Sequence, residues 1–294
     1  MHSTHETRGL WLGFLGVVIF SITPAMTRLA VGSAADPQLP AAFVTAGRAG
    51  AAALLSAVYL LVVRAKAPRA RQIPAFVLCA LGTVVGFPQF LALALQKVDA
   101  MHASVITGVL PLATAVVAAL VFRQRPSAGF WACAVLGCLL VLAFAVLRGG
   151  GAIGLADAYL FGAMASAAVG YVAGARLSQD MPAEQVICWV LVGSAPLTLP
   201  ATFMLWPQRA ADLPAWLGFA YVTVFSMWLG FFAWYRGLAL GGAVRVSQVQ
   251  LLQPFLGILF AVPILGERLD AVTVMFTAAV VGVVFAGRRM PSGR

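Results

Sequence analysis

Charged side chains are scarce in this sequence: only 10% of its 294 residues are Asp, Glu, Lys or Arg, and the acidic residues number 9. An ordinary soluble domain is about 25% charged and about half apolar. Here 62% of the residues are hydrophobic, which is more than a soluble domain of this length can bury. The composition therefore excludes a soluble class and predicts a membrane protein.

The shortage of acidic residues leaves a net charge of +10 and a pI near 10.3. In a soluble protein this balance would indicate nucleic acid binding. In a membrane protein it fits the excess of Lys and Arg that cytoplasmic loops carry. We therefore expect a lipid bilayer and no nucleic acid as partners.

The sequence also has little that could support catalysis. Its four cysteines lie singly in apolar runs, without the C-x-x-C spacing of a zinc or redox site. It contains no recognisable nucleophile–base pair, phosphate-binding loop or cluster of metal ligands. We expect no enzymatic activity, no metal and no cofactor.

Long apolar runs are abundant. A helix needs about 20 mostly apolar residues to cross a bilayer, and ten runs qualify. We number them spans 1 to 10: 9–31, 39–63, 74–95, 101–122, 128–147, 155–177, 185–206, 214–240, 243–265 and 271–287. Span 1 is longer than the apolar core of a signal peptide and is expected to be retained as a helix. The predicted fold class is an all-α membrane protein with ten transmembrane helices.

The distribution of basic residues predicts the orientation of these spans. With the N-terminus inside, the inner segments hold 13 Lys or Arg residues and the outer segments hold five, while Arg48 lies within span 2. Because basic residues favour cytoplasmic loops, both termini are predicted to be cytoplasmic.

The chain also resembles itself at an offset of 143 residues. This shift aligns Ser104 with Ser247 and Pro111 with Pro254, so span 4 matches span 9. Each half has five spans, an odd number, so the second half enters the membrane from the opposite side. The sequence thus predicts two inverted five-helix repeats, residues 1–148 and 149–294, with the substrate near the midplane between them.

Ten spans, a five-plus-five repeat, the late Leu-Gly-Glu-Arg-Leu motif at 265–269 and a Pro-centred helix in each half resemble the EamA-type branch of the drug/metabolite transporter superfamily. The resemblance covers about residues 9–287, and within this branch the chain looks most like the bacterial exporters of aromatic and other amino acids. It implies a multi-pass carrier of the bacterial inner membrane that exports a small molecule, and we expect a monomer.

Two prolines inside the apolar runs are the strongest site signals. Proline has no N–H, so Pro111 frees the carbonyl of Thr107 and Pro254 frees the carbonyl of Gln250. Broken helices near the midplane present such acceptors to substrates. The alternative is ordinary hydrogen bonding between helices.

Uncharged polar side chains accompany these prolines, and Thr23 lies beside a third proline, Pro24. Such a cluster suits a neutral or zwitterionic solute. The predicted polar binding residues are Thr23, Gln89, Thr107, Ser247, Gln250 and Gln253, and the predicted kinks and hinges are Pro24, Pro111, Gly241, Gly242 and Pro254.

Arg48 is the one basic residue deep within an apolar run. Placing Arg at the centre of a spanning helix costs about 2.5–3.5 kcal/mol on insertion scales, so we expect it to face the bundle interior. It could bind the carboxylate of an amino acid through its planar fork. Alternatively, it could bind loop or helix-end carbonyls.

Span 8 carries a stripe of aromatic residues at helical spacing: Tyr221, Phe225, Trp228, Phe232 and Tyr235. These positions share one face of a regular α-helix, with Phe231 and Trp234 beside it. A stripe with Tyr hydroxyls and a Trp N–H predicts a cavity wall in which Trp228 and Tyr235 contact the substrate. The alternative is a core or lipid contact.

No carboxylate lies at mid-bilayer depth, and among the histidines only His102 approaches the membrane. Proton-coupled carriers commonly use buried Asp, Glu or His relays. We therefore predict uniport, with coupling through His102 or a loop acid as the alternative. His102 is also included among the substrate-binding candidates.

Small residues at four-residue spacing predict close helix packing in spans 5, 6 and 10. The span 6 ribbon is Gly162, Ser166, Gly170 and Gly174, and the span 10 ribbon is Ala278, Gly282 and Ala286. The span 6 ribbon could also leave room for a substrate.

The acidic cluster between spans 9 and 10 is interpreted as helix punctuation. Gly266 can end span 9 in the left-handed conformation. Asp270 can cap span 10 near Thr273, and Ser127 can cap span 5 in the same way.

Overall fold

The structure is a computed structural model that describes residues 2–121, 123, 125–148, 150–241, 248–289 and 292–293. Thirteen α-helices are described, and we number them α1 to α13. They are His2–Val31, Ala41–Val62, Ile73–Cys79, Phe87–Leu95, Ala100–Thr107, Leu110–Val121, Ala128–Arg148, Leu155–Leu177, Ala183–Met204, Leu213–Tyr221, Gly230–Gly241, Gln253–Leu265 and Ala271–Arg289.

Within the described residues, eight helical segments are long and apolar enough to cross a membrane. Two further apolar helices, Val249–Leu265 and Ala271–Gly287, are shorter. The chain is therefore a multi-pass, all-helical membrane protein. The ten-span count and the orientation remain predictions.

Two spans contain a feature that the sequence did not predict. A π-helical segment, Ala80–Gly86, joins α3 to α4 within span 3, and another, Val222–Leu229, joins α10 to α11 within span 8. A π-turn holds more residues than an α-turn, so it rotates the side chains that follow it. The two segments lie at matching positions when the chain is shifted by about 143 residues.

Spans 4 and 9 are broken where their prolines predicted. In span 4, α5 ends at Thr107 and α6 begins at Leu110 after a turn. In span 9, a 3₁₀ segment, Gln248–Leu252, precedes α12, and Pro254 lies in the first turn of that helix. The two breaks touch, because a Cβ added at Gly108 would lie 2.9 Å from Cγ of Pro254.

Helix α1 packs on α10, α11 and α12. Helix α8 similarly packs on span 3 and on α6. Helix α2 packs along α9, and α7 packs along α13. These pairings are unchanged when spans 1–5 are exchanged with spans 6–10.

The small-residue ribbon of span 6 is a packing face. A side chain at Gly82 would collide with the carbonyl of Ser166, and one at Gly170 would collide with Thr83, so span 6 approaches span 3 backbone to backbone. This contact fills the ribbon and leaves no room for a substrate along it.

Spans 5 and 10 pack together, but the predicted ribbon of span 10 is only partly involved. Ala278 and Gly282 are exposed, and a Cβ at Gly282 would meet nothing within 4 Å. The contact is made instead by Gly287 against Cys133 and by Gly137 near Val283. Four-residue spacing therefore correctly marked span 10 as a closely packed helix, but it marked the wrong face of that helix.

Three predicted helix caps are confirmed. Gly266 follows α12 with φ of 70°. The N–H of Thr273 donates to Oδ1 of Asp270 at 3.0 Å, and the N–H of Phe130 donates to Oγ of Ser127 at 3.3 Å. A two-residue antiparallel pair joins strand β1, Arg125–Pro126, to strand β2, Ser292–Gly293.

Candidate functional site

A central cavity lies where the two broken helices and the two π-segments meet. Two narrow compartments, of about 30 and 50 Å³, share a lining that includes Phe20, Pro24, Thr107 and Gln253. They adjoin a third compartment of about 370 Å³, which reaches exposed Ala175 and the end of α8. We call this end of the bundle, where the turn 178–182 lies, the Asp180 end.

Arg48 is the only charged residue among the described residues that line these compartments, and its side chain is 2% exposed. Its Nη2 donates to Oγ of Ser226 at 3.1 Å, and Oγ1 of Thr23 donates to the same oxygen at 2.9 Å. The Nε–H of Arg48 is buried and has no acceptor among the described residues. Leaving a charged donor unpaired is costly, so the site favours an occupant with an anionic acceptor.

The polar residues predicted from the proline pattern line the same cavity. Thr107, Gln250 and Gln253 meet beside Pro111 and Pro254, at the breaks of spans 4 and 9. The hydroxyl of Thr107 donates to the carbonyl of Ala103 at 2.7 Å. Since prolines follow four residues later, the carbonyls of Thr107 and Gln250 lack their usual helical donors and can accept from a ligand.

Aromatic side chains form the wall of the larger compartment. Phe20, Tyr171, Phe231, Trp234 and Tyr235 all line it. Tyr235 was predicted here, whereas Phe231 and Trp234 had been placed beside the predicted stripe.

Trp228 lies elsewhere, contrary to the sequence prediction. It packs in an apolar cluster with Cys188 and Phe232. Phe225 is 44% exposed. The π-segment Val222–Leu229 explains this arrangement, because its extra residue breaks the helical phase on which the stripe prediction rested.

Other predicted residues are not brought to the cavity. Gln89 lies in α4 and is absent from the described cavity lining. His102 lies at the opposite end of the bundle. Gly241 ends α11, while Gly242 and Ser247 lie outside the described residues.

The sequence reasoning missed Thr83, Tyr171 and Ser226, which line the central compartments. Thr83 and Ser226 lie in the two π-segments, and nothing in a hydropathy pattern distinguishes them from ordinary helix residues. Tyr171 could have been suspected, because a Tyr within an apolar span requires a polar partner.

A wide vestibule of about 770 Å³ lies at the other end of the bundle, where α5, α8 and α13 begin. We call this the Glu267 end. Since α8 has 23 residues, its two ends are about 34 Å apart, and the vestibule and the aromatic compartment lie on opposite sides of the bundle.

Glu267 does more than punctuate the turn in which it lies. Its two carboxylate oxygens accept the N–H groups of Ala100 at 2.7 Å and Met101 at 2.9 Å, so it caps α5 in the other half of the chain. Burial raises the pKa of Glu267, although these two hydrogen bonds act in the opposite direction. The interpretation as punctuation alone is thus corrected: Glu267 ties span 4 to the turn between spans 9 and 10.

Three further polar contacts join the two halves at this end. His102 Nε2 and Asp157 Oδ1 are 2.7 Å apart, and Asp157 is 3% exposed. Arg148 contacts both Asp270 and Thr273. The N–H of Asp212 donates to Oε1 of Gln38 at 2.9 Å.

The acid–base properties of Asp270 follow from its contacts. Slight desolvation would raise its pKa, but hydrogen bonds from Thr273 and Arg148 outweigh that effect and lower the pKa to about 2. Asp270 is therefore ionised at any physiological pH.

An apolar cluster separates the vestibule from the central cavity. It contains most of the largest fully buried side chains of the described residues, including Phe43, Leu91, Leu95, Ile106 and Phe144. Leu91 also lines the central cavity, so the cluster begins directly at that cavity. In this structure the cavity is sealed at the Glu267 end and widest toward the Asp180 end.

The described residues contain no group of three His, Cys, Asp or Glu side chains that could hold a metal ion. What the bundle offers is a polar cavity between helices that have broken or π-helical segments, a typical arrangement for a membrane carrier.

The class that these features define is a membrane transporter, and comparison with known proteins gives the family. The profile of the EamA-like transporter family matches residues 7–146 and again residues 154–287. The chain belongs to the EamA-like transporter family, whose members are transporters and not enzymes.

Two individual proteins are similar over nearly their whole length. The protein "Uncharacterized transporter YdeK" of Bacillus subtilis (strain 168) is 45% identical over 288 residues, which cover 97% of this chain and 99% of that protein. A crystal structure described only as that of a protein aligns over 96% of each chain with a TM-score of 0.64 and 18% identity, which shows the fold alone.

Proposed function

We propose that this chain exports amino acids, chiefly aromatic and other neutral ones, together with related small metabolites, across the bacterial inner membrane. Transport proceeds by alternating access and as uniport. The observation that carries the proposal is the buried Arg48: it lines a cavity with aromatic walls, and its Nε–H has no acceptor among the described residues.

Arg48 supplies the recognition of the carboxylate. A guanidinium binds a carboxylate through parallel hydrogen bonds, which are stronger than bonds between neutral groups. The network of Ser226 and Thr23 holds Nη2 of Arg48 in place, so the guanidinium is oriented before the substrate arrives. An occupant with a carboxylate would satisfy the buried donor.

The remaining groups suit the rest of an amino acid. The side-chain amides of Gln250 and Gln253 and the freed carbonyl of Thr107 offer acceptors for an ammonium group. The aromatic compartment, of about 370 Å³, offers a wall for a flat or apolar side chain. Aromatic rings stack favourably in offset or edge-to-face arrangements, which favours aromatic substrates.

The proposed architecture has ten spans in two inverted halves, 1–148 and 149–294, with both termini in the cytoplasm. Three observations support it: the excess of basic residues on one side, two successive family matches, and pairings of helices that persist when the halves are exchanged. The Asp180 end is then cytoplasmic and the Glu267 end faces outward. Rocking of the halves would close one end as the other opens.

Uniport is supported by the chemistry of the cavity lining. Among the described residues that line the three compartments, none is Asp, Glu or His. Without a titratable carboxylate or imidazole beside the substrate, the simplest driving force is the outward gradient of the substrate itself.

Counterflow in proteoliposomes with a panel of labelled amino acids tests the proposal. Wild type should exchange at least one neutral or aromatic amino acid, and Arg48→Met and Gln250→Ala should lose that exchange. Gln179→Ala, an exposed amide in the turn after α8, is the matched control. If no amino acid exchanges, the proposed substrate class is wrong.

Proton-coupled efflux of another small organic solute is the second candidate. The observation in its favour is the cluster of His102, Asp157 and Glu267 at the vestibule, where protons could bind without entering the cavity. An imposed pH gradient distinguishes the two, because strong stimulation of transport would contradict uniport.

A further inference from the structure

A second cavity lies on the side of the bundle, away from the central site. It is a groove of about 230 Å³ between α3 and α9, with Phe76, Val77 and Trp189 in its walls. Gly193 forms part of its floor, and a Cβ added there would meet nothing within 4 Å. The groove is therefore open to whatever surrounds the helices, which in a membrane is lipid.

Trp189, which lines the groove, carries an unused hydrogen-bond donor. Its Nε1–H is buried but has no acceptor among the described residues. A buried indole N–H normally finds a partner. Trp189 lies six residues into α9, about 9 Å from the start of that helix. A position within the first two turns of a spanning helix lies near the membrane–water interface, where Trp is enriched.

Positive charge lies on the loop at one end of the groove. Pro68 lines the groove and belongs to the loop that carries Arg64, Lys66 and Arg69. All three cations are exposed, and none forms an ion pair with an acid of the described chain. Only Arg71, at the end of this loop, is paired, with Asp180 at 3.7 Å.

We propose that this groove binds one anionic glycerophospholipid. An acyl chain fills the apolar channel beside Gly193, an ester carbonyl accepts the N–H of Trp189, and the phosphate lies among Arg64, Lys66 and Arg69. Basic pockets between membrane helices bind anionic head groups in this way. A second copy of the chain is a poorer occupant, because it would bring two strongly basic loops together.

Native mass spectrometry and thermal unfolding of the delipidated protein test this site. The probes are phosphatidylglycerol, phosphatidylcholine with the same acyl chains, and inorganic phosphate. Phosphatidylglycerol should remain bound and raise Tm more than phosphatidylcholine does, because a ligand of the folded state stabilises it. Phosphate alone should have no effect, since it cannot fill the groove.

Two different variants should each remove the preference for phosphatidylglycerol. Gly193→Leu fills the groove, and the double variant Lys66→Gln, Arg69→Gln removes charge at its mouth without altering a buried residue. Arg209→Gln, an exposed arginine at the Glu267 end, is the control and should keep the preference.

Several results would overturn the proposal. One is that wild type binds both lipids equally. Another is that the charge variant or a folded Gly193→Leu keeps the preference for phosphatidylglycerol. A third is that Arg209→Gln loses this preference as fully as the other variants do. A dimer that Gly193→Leu abolishes would instead assign the groove to a second copy.

Discussion

The two ends of this bundle differ in how their halves are held together. At the Glu267 end, a carboxylate caps a helix of the other half, a buried His102–Asp157 pair lies nearby, and an apolar cluster fills the space beneath. At the Asp180 end, Arg71 and Asp180 are 3.7 Å apart with 67% and 47% of their side chains exposed, and a cavity of about 370 Å³ remains.

Under the proposed alternating access, this difference identifies the contacts that are expected to change during transport. Exposed ion pairs contribute about 0–1 kcal/mol, whereas buried and charge-assisted contacts contribute more. The structure thus corresponds to a state closed at the Glu267 end. Opening that end requires the release of a few identifiable contacts, and each can be removed separately.

The largest effect on transport is expected in the central cavity between the two ends, at Arg48. Arg48→Met should lower transport by about 30-fold to several thousand-fold, since removing one partner of a buried, hydrogen-bonded charge pair costs about 2–5 kcal/mol. Initial rates of counterflow measure the loss. The transport rate of Arg48→Lys should lie between those of wild type and Arg48→Met, because lysine keeps the charge but lacks the planar fork of the guanidinium.

The stability of Arg48→Met should not fall with its transport rate. Replacing a buried, unpaired charge by an apolar side chain is often neutral or stabilising. The Tm of Arg48→Met should therefore not fall below that of wild type. Wild-type counterflow by this variant would remove Arg48 from the binding site.

The next largest effect is expected at the wide end. Ala175→Trp places a large side chain at the cavity mouth, and closing this end around it should cost about 1–3 kcal/mol. Net efflux should then fall by about 5- to 150-fold, while Ala175→Ser should behave as wild type. If Ala175→Trp exports normally, the Asp180 end need not close during transport.

At the sealed end, Glu267→Ala removes the cap of α5. Loss of a cap costs about 0.5–2 kcal/mol, so the open population of this end should rise about 2- to 30-fold. Spin labels at Lys97→Cys and Arg268→Cys, both exposed at the vestibule, report the separation by electron–electron distance measurement. Glu267→Gln keeps one acceptor and should show a smaller shift toward the open distance. Equal distances in all three proteins would show that Glu267 does not hold this end closed.

The same distances should depend on pH through Glu267. Burial raises its pKa above 4.5, so the sealed end prefers the protonated carboxyl. The stabilisation of the sealed form by protonated Glu267 is fully present below pH 4.5 and declines as the pH rises through the raised pKa. Acid should therefore favour the sealed form. Glu267→Gln should abolish this dependence.

Asp270 does not titrate in the pH range in which Glu267 is expected to respond. Its pKa is lowered from 3.8 to about 2, so its contribution is complete above 3.8 and is lost only as the pH falls toward 2. If Glu267→Gln retains the full pH response, another group, such as His102 with Asp157, must carry it.

The smallest effect is expected from the exposed contact of Arg148 with Asp270, whose side chains are each 39% exposed. Arg148→Gln should change the open population by less than about fivefold, and salt should reduce even that change. The same spin-label distances measure it. A change above tenfold would make this pair a principal contact of the sealed end.

The sequence predicted those parts of the fold and site that rest on local chemistry. Proline predicted the breaks beside Thr107 and Gln250, and the Asp270 and Ser127 caps followed from spacing alone. Arg48 was found because a charge in an apolar run stands out. Each of these signals depends on a few neighbouring residues.

The parts that escaped prediction depend on non-local geometry. No composition signal distinguishes a π-turn from an α-turn, so the rotation that moves Trp228 away from the cavity and brings Phe231 and Trp234 into it was not foreseen. Glu267 meets Ala100 across 167 residues of sequence. No periodic pattern predicts such a contact.

Side-specific labelling of the cavity tests most directly whether it is open at the Asp180 end and sealed at the Glu267 end. Thr107→Cys, in a protein whose four native cysteines are replaced by serine, is treated with a membrane-impermeant thiosulfonate in inside-out and right-side-out vesicles. We expect rapid labelling from the Asp180 end, which we propose is cytoplasmic, and labelling from the outer face mainly when Glu267→Ala is added. Faster labelling from the outer face in the otherwise wild-type protein would contradict it.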